Sequence, residues 1–375
     1  MGPMIGRASA LLALLAALCG PPAASAQQPS GNSPPPTRPR SAAAIRAEAA
    51  TAFAPDPNLK PPAYRTSTTS VEIPVLVSSP NGRIVRRLNR ADFTVSDNGA
   101  RQHVQLEARP GARPVSLLVC VERSRQIAGE FSKIAALGPQ LKPFLSQSSG
   151  PDLNSETSQA ALVVFDSKPT WVEPFSADTS AITQDMQSMP QGDGGAAILD
   201  AVGYSINLLE KQPANRRRIL LLIAGPQDRG SRNFDIPDLV ERLGTSNVLV
   251  VSLILSPSKT AVREWATGHV DFGPRPNVLA PLLTTVEAMR QNIPETLASL
   301  SGGESVPLTR EKSFGKVLAE AAIDARARYI LSFRPLNSAP GMHLIRVSVT
   351  GHPSAQVTAS NSYWAIEREH QLGTN

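Results

Sequence analysis

Four short runs of the chain are almost wholly apolar: Val115–Val121, Ala161–Phe165, Ile219–Ile223 and Val248–Leu255. Strands buried on both faces read this way, because neither side of the pleat meets water. Segments with helical spacing lie between them. Ile127, Phe131, Ile134, Leu141 and Leu145 keep near one face after the first run, while Gly138-Pro139 and Pro143 shorten or kink that helix. Ile198, Val202, Ile206 and Leu209 share a face before the third run. Helices are expected again over 293–300 and 313–327. Strands alternating with helices predict an α/β fold: a doubly wound, mostly parallel, Rossmann-like sheet with helices on both faces.

The flanks alternate instead. Val71, Ile73, Val75 and Val77 predict a strand with one wet face, and Asn81-Gly82 a turn after it. Phe93–Ser96, the turn residues Asp97-Asn98-Gly99 and the alternation from Gln102 to Leu106 predict a hairpin. Alternation returns at Tyr329–Phe333, Leu344–Val349 and Gln356–Ala359. These strands are expected to pair with the 71–108 unit, so that both ends of the chain build one small antiparallel β annex. The expected layout is a β segment over 71–110, a central domain over 111–328 with an insertion at 257–292, closing strands over 329–366 and a tail over 367–375.

Composition adds limits. Of 375 residues, 41% are hydrophobic and 18% charged, enough apolar material for a sizeable core and too much for a disordered chain. Aromatics at 5% argue against a surface that stacks nucleic-acid bases. The formal charge of +6 permits an anionic partner without demanding one. Residues 1–26 join Arg7, an Ala-Leu run and Ala24-Ser25-Ala26, the parts of a cleaved export signal; the apolar stretch is short for a membrane span. Leu18 is large where a lipid-attachment site at Cys19 wants a small residue, so Cys19 leaves with the signal and Cys120 has no partner. Residues 27–70 are rich in Pro and Ala and read as a flexible spacer. An extracytoplasmic location follows, periplasmic or secreted, with no transmembrane helix.

In an open α/β sheet, ligands bind beyond the carboxyl ends of the strands. That edge holds Glu122-Arg123-Ser124-Arg125-Gln126 after the first run, the loop Gly192-Asp193-Gly194-Gly195-Ala196, and Ala224-Gly225-Pro226-Gln227-Asp228 after the third. The 257–292 insertion leaves the same edge and carries Trp265, His269 and Phe272, with Trp265 a candidate contact anchor. Enzyme signatures are missing from the string. The five histidines form no His-Glu-x-x-His motif, no Gly-x-Ser-x-Gly elbow occurs, and Cys120 lies inside an apolar strand. Arg216-Arg217-Arg218 falls at the amino end of its strand and reads as a solvated face.

Two stretches carry a resemblance. One is Asp92-Phe93-Thr94-Val95-Ser96-Asp97-Asn98-Gly99-Ala100-Arg101-Gln102, the other Arg328-Tyr329-Ile330-Leu331-Ser332-Phe333-Arg334-Pro335. With the layout between them, residues 71 to 366 resemble von Willebrand factor A (VWFA)-related proteins of the exported acidobacterial type. The resemblance implies a VWA domain whose centre is a metal-ion-dependent adhesion site: Asp-x-Ser-x-Ser after the first strand, a loop Thr, and an Asp after the fourth strand. Matched by position, the first Asp is Glu122, the first Ser is Ser124, the second Ser is Gln126, the loop Thr is Ala196 and the later Asp is Gly225. A divalent cation wants about six oxygen ligands, and this set is depleted of them, while Arg123 and Arg125 add positive charge. The expectation is therefore a non-enzymatic, protein-binding module without the usual metal or another cofactor, in which an acidic partner group docks on guanidinium. Asp193 and Asp228 are the carboxylates available to rebuild a cation site with Glu122. The rival readings are a hydrolase-like enzyme with scattered rim residues and a structural part of an envelope assembly.

Overall fold

The computed structural model describes residues 70–107, 113–146, 157–255, 279–308, 314–335 and 339–366. The expected export signal, the spacer, Trp265 with its aromatic neighbours, and the tail lie outside these residues.

The central sheet has six strands in the order β10-β9-β8-β5-β6-β7. They are β5 (Val115–Glu122), β6 (Gln159–Phe165), β7 (Pro169–Ser176), β8 (Arg217–Ala224), β9 (Val248–Ile254) and β10 (Ser305–Pro307). All run parallel except β7, which pairs antiparallel with β6 at one edge. The four apolar runs are thus β5, β6, β8 and β9, and every residue of β5 is buried. The sequence pattern gave no notice of β7. Most of its residues are half-buried and Pro174 interrupts it, as befits an edge.

Alternation splits the core in two. Leu117, Val119 and Val121 face one layer, built by α1 (Phe131–Leu137), α2 (Lys142–Leu145), α3 (Ser180–Gln187) and α8 (Phe314–Ala327). Leu118 and Cys120 face the other, built by α4 (Ile198–Glu210), α5 (Ile236–Ser246), α6 (Leu279–Gln291) and α7 (Ile293–Ser301). The segment after β5 is broken as Gly138-Pro139 and Pro143 require: a 3-10 stretch Arg125–Glu130, α1, a second 3-10 turn Gly138–Leu141, then α2.

Both flanks do build the annex, as two four-stranded antiparallel sheets. One has the order β13-β1-β11-β4, the other β14-β12-β2-β3. The strands are β1 (Val71–Ser78), β2 (Phe93–Asp97), β3 (Ala100–Gln102), β4 (Val104–Leu106), β11 (Tyr329–Phe333), β12 (Gly341–Val349), β13 (Gln356–Ala359) and β14 (Ser362–Ala365). Ile73, Val75, Val95, Leu331 and Phe333 share its core. Asn98 (φ 46°) and Gly99 (φ 87°) form the hairpin tip, as positive φ at both turn positions demands. The stretch after the tip is not one strand: β3 pairs with β2, whereas β4 crosses to β11. Asn81-Gly82 turns the chain, but only an isolated bridge, Ser78 to Ile84, follows.

One expectation is corrected here. Arg216 and Arg217 are buried, and Arg218 is half-buried. In this architecture helices end beside the amino ends of strands, where unpaired carbonyls and the negative end of the dipole gather. Arg217 Nη1 donates to Ala325 O at 3.0 Å and Arg326 O at 2.9 Å, at the end of α8. Arg218 donates to Glu210 O at 3.2 Å and Ser246 O at 3.4 Å, at the ends of α4 and α5. Arg216 donates to Ser116 Oγ at 2.8 Å and Thr157 O at 2.7 Å. Arg217 and Arg218 cap helices and Arg216 ties the starts of two strands together, rather than facing water.

Candidate functional site

Three loops meet at the carboxyl ends of β5, β6 and β8. Arg125 N donates to Asp193 O at 2.8 Å, Gly192 N to Arg123 O at 2.8 Å, and Gln126 Nε2 to Gly194 O at 2.7 Å. Ala196 and Arg229 exchange backbone hydrogen bonds of 2.8 and 2.7 Å. The loops are zipped to one another by these backbone and side-chain hydrogen bonds.

Glu122 and Ser124 lie under this rim, only 2% and 0% exposed. Ser124 Oγ donates to Glu122 Oε1, and Gly225 N donates to Oε2 at 2.7 Å. Burial pushes the Glu122 carboxyl up; the Ser124 hydroxyl, the Gly225 amide and the charge of Arg229 pull it back down. Arg229 is exposed, and its positive charge acts on the Glu122 carboxylate.

The remaining carboxylates are also engaged. Arg123 Nη2 pairs with Asp166 Oδ2 at 2.8 Å, both side chains mostly buried. Asp193 accepts from Ser167 Oγ, from Ser167 N at 3.0 Å and from Gly195 N at 2.8 Å, and the Ser167 hydroxyl above all holds its carboxyl below the ordinary value. Asp228 accepts from Leu199 N at 3.1 Å and Ser231 Oγ at 2.5 Å. Asp200, buried at the start of α4, accepts backbone N–H bonds from Arg232, Asn233 and Phe234 at 2.9–3.0 Å and fixes the loop beyond Asp228.

This donor set does not fit a divalent cation. Ala196 and Gly225 offer no side-chain oxygen, and Gln126, whose Nε2 donates to Gly194 O, offers only a neutral amide oxygen in place of a hydroxyl. Each Glu122 oxygen already accepts a hydrogen bond, and the neighbouring guanidiniums oppose an ion. Among the described residues, no group of three or more His, Cys, Asp or Glu side chains is placed to hold a metal. Asp193 and Asp228, the carboxylates expected to be available beside Glu122, accept hydrogen bonds from Ser167 and Gly195 and from Leu199 and Ser231 instead.

The sheet order, the antiparallel edge strand and the three converging loops settle the architecture. The domain is VWA-like. A von Willebrand factor type A protein from Catenulispora acidiphila is similar at TM-score 0.41 and 9% identity, over 80% of this chain and 74% of that one. An aerotolerance-related membrane protein from Bacteroides fragilis is similar at TM-score 0.36 and 15% identity, over 56% of this chain and 98% of that one. The vWF domain of the type V pili tip protein Mfa5 from Porphyromonas gingivalis is similar at TM-score 0.36 and 10% identity, over 56% and 94%. No protein-family model and no curated protein matches the sequence. The architecture rests on the sheet order and pairing rather than on these similarities, and what the VWA-like rim does rests on its own residues.

Of the residues named from sequence, the structure brings Glu122, Ser124 and Gly225 into one cluster. It zips Arg125, Gln126 and Asp193 into the rim, and turns Arg123 inward to Asp166. Ala196 contributes only its backbone, and Asp228 only a loop cap. Arg229 and Asp166 escaped the sequence reading. Both follow apolar strands at the carboxyl edge, Asp166 directly after β6, so the rule that found Glu122 reaches them too.

Proposed function

We propose that the VWA-like domain is a non-enzymatic binding module that takes an acidic group of a protein partner on Arg125 and Arg229 without a bridging metal. The observation behind this is the closed floor of Glu122, Ser124 and Gly225 beneath a hydrogen-bonded rim on which both arginines are exposed. Guanidinium offers a carboxylate two parallel donors, and loops already tied to one another lose less entropy on binding. Arg123 is not part of the docking pair, because Asp166 already neutralises it. The protein acts outside the cytoplasm once residues 1–26 are removed. Among the described residues, no helix is long and apolar enough to cross a membrane.

The test is an arrayed library of Asp- and Glu-containing peptides screened against the full chain in excess EDTA. Acidic binders that survive chelation and are lost in the Arg125→Glu, Arg229→Glu variant support the reading. Binding that needs added Mg²⁺ or Mn²⁺ overturns it. Turnover on a hydrolase panel, abolished by one rim substitution, replaces it with the enzymatic alternative.

A further inference from the structure

The amino end of the VWA-like sheet, opposite the rim, contains a cavity of about 200 Å³ between β8, α5, α7 and the annex. Four arginines line it, Arg113, Arg216, Arg217 and Arg218, against one carboxylate, Glu72. Their hydrogen bonds to helix ends and strand carbonyls leave a remainder. Arg217 is 8% exposed, yet its Nε has no hydrogen-bond partner among the described residues, and neither has Nε of Arg218. Buried N–H donors are normally paired, and leaving one unmade costs roughly 1–3 kcal/mol. The local charge is also lopsided. Burial first, then the like charges of Arg113, Arg328 and Arg326, pull the Arg217 guanidinium down to about 10 against the opposing pull of the Glu107 carboxylate. Two carboxylates offset part of this charge: Glu72 meets Arg113 Nη2 at 3.4 Å and Glu107 meets Arg113 Nε at 3.1 Å, against four guanidiniums.

An anion would supply both missing items, an acceptor for the idle N–H groups and a counter-charge for the crowded guanidiniums. The rest of the lining is mixed: Val71, Pro74, Leu249, Leu300 and Ile330 form an apolar wall, and Asn247, Ser301, Ser360, Ser362 and Tyr363 bring polar groups. A few charged groups converging beside an apolar wall mark a small-molecule site. We infer that this cavity binds a small organic anion, its carboxylate or phosphate head on Arg113 and Arg217 and a short apolar tail against Leu300 and Ile330. The site joins the annex to the central domain, since Val71, Glu72 and Pro74 come from β1 and Ile330 from β11.

Isothermal titration calorimetry on the full chain tests this with three probes: hexyl phosphate, inorganic phosphate and hexanol. Hexyl phosphate should bind, inorganic phosphate more weakly and hexanol not at all. Arg113→Gln and Arg217→Gln should each weaken hexyl phosphate by about tenfold or more, the size of one lost charge-assisted hydrogen bond. Should Arg217→Gln fail to fold by circular dichroism, Arg113→Gln, at a part-exposed position, carries the test alone. No heat from hexyl phosphate at millimolar concentration overturns the inference, as does an affinity unchanged in Arg113→Gln.

Discussion

At the amino end of β8, Arg216 and Arg217 are buried and give most of their bonded donors to backbone carbonyls, whereas at the carboxyl ends Arg125 and Arg229 stand exposed. The acids differ in the same way. Glu122 at the carboxyl end accepts a serine hydroxyl and a backbone amide. Glu304, beside the amino end of the sheet, meets the fully buried Arg328 at 3.5 Å and shares a hydrogen bond with Asp324. The amino end therefore ties its arginines to neighbouring elements, and the carboxyl end, Arg123 apart, leaves Arg125 and Arg229 exposed. Substitution should separate the two ends by magnitude.

The largest effect belongs to Arg328→Met. Arg328 is 1% exposed, donates to Thr358 O at 3.2 Å and meets Glu304 at 3.5 Å, tying the start of β11 to β13 and to the residue before β10. Its loss strands Glu304 and Asp324, and urea unfolding should show a loss of about 3–5 kcal/mol, as for other broken buried pairs. A loss below about 1 kcal/mol would erase the contrast between the two ends.

The limits of the sequence follow from that arginine and its neighbours. The four apolar runs were legible because strands buried on both faces leave no polar positions. The annex pairing was legible from period-two alternation in both flanks. Arg216-Arg217-Arg218 was misread because a string of cations looks identical whether it meets water or the carbonyl ends of helices. Arg123 looked free for the same reason: Asp166 lies 43 positions away, and no local pattern marks their pairing.

The next effect is a pH dependence at the amino end. Burial, with the Asp324 carboxylate beside it, pushes Glu304 up to about 7 from the ordinary 4.5. A carboxyl raised on folding stabilises the fold in its protonated form. That contribution is full below pH 4.5 and is lost as pH climbs through about 7. Wild-type stability should fall by about 1–3 kcal/mol between pH 5 and 8. Glu304→Gln should flatten this slope, and a slope that persists undiminished would show that the pair does not hold the proton.

At the rim, Gly192→Ala should cost about 1–3 kcal/mol, because a Cβ there would stand 2.5 Å from Asp166 Oδ2 and push apart the Arg123–Asp166 pair. The thermal midpoint reports it. The smallest effect on stability is expected for Arg125→Glu, within about 0.5 kcal/mol, since that side chain is exposed. Its cost should appear only in binding to acidic peptides, whereas Arg229→Glu should also destabilise by placing a second negative charge near the buried Glu122 carboxylate.

A manganese titration followed by electron paramagnetic resonance addresses the rim most directly, run on the wild type beside a variant carrying Glu122→Asp, Gln126→Ser, Ala196→Thr and Gly225→Asp. The backbone admits the last change, for a Cβ at position 225 meets only Glu122 Oε2 at 3.4 Å and Leu255 O at 3.9 Å. The wild type should bind no ion tighter than about 1 mM, and the variant should gain a site at least tenfold tighter. Micromolar manganese on the wild type, released by Ser124→Ala, would contradict a metal-free rim.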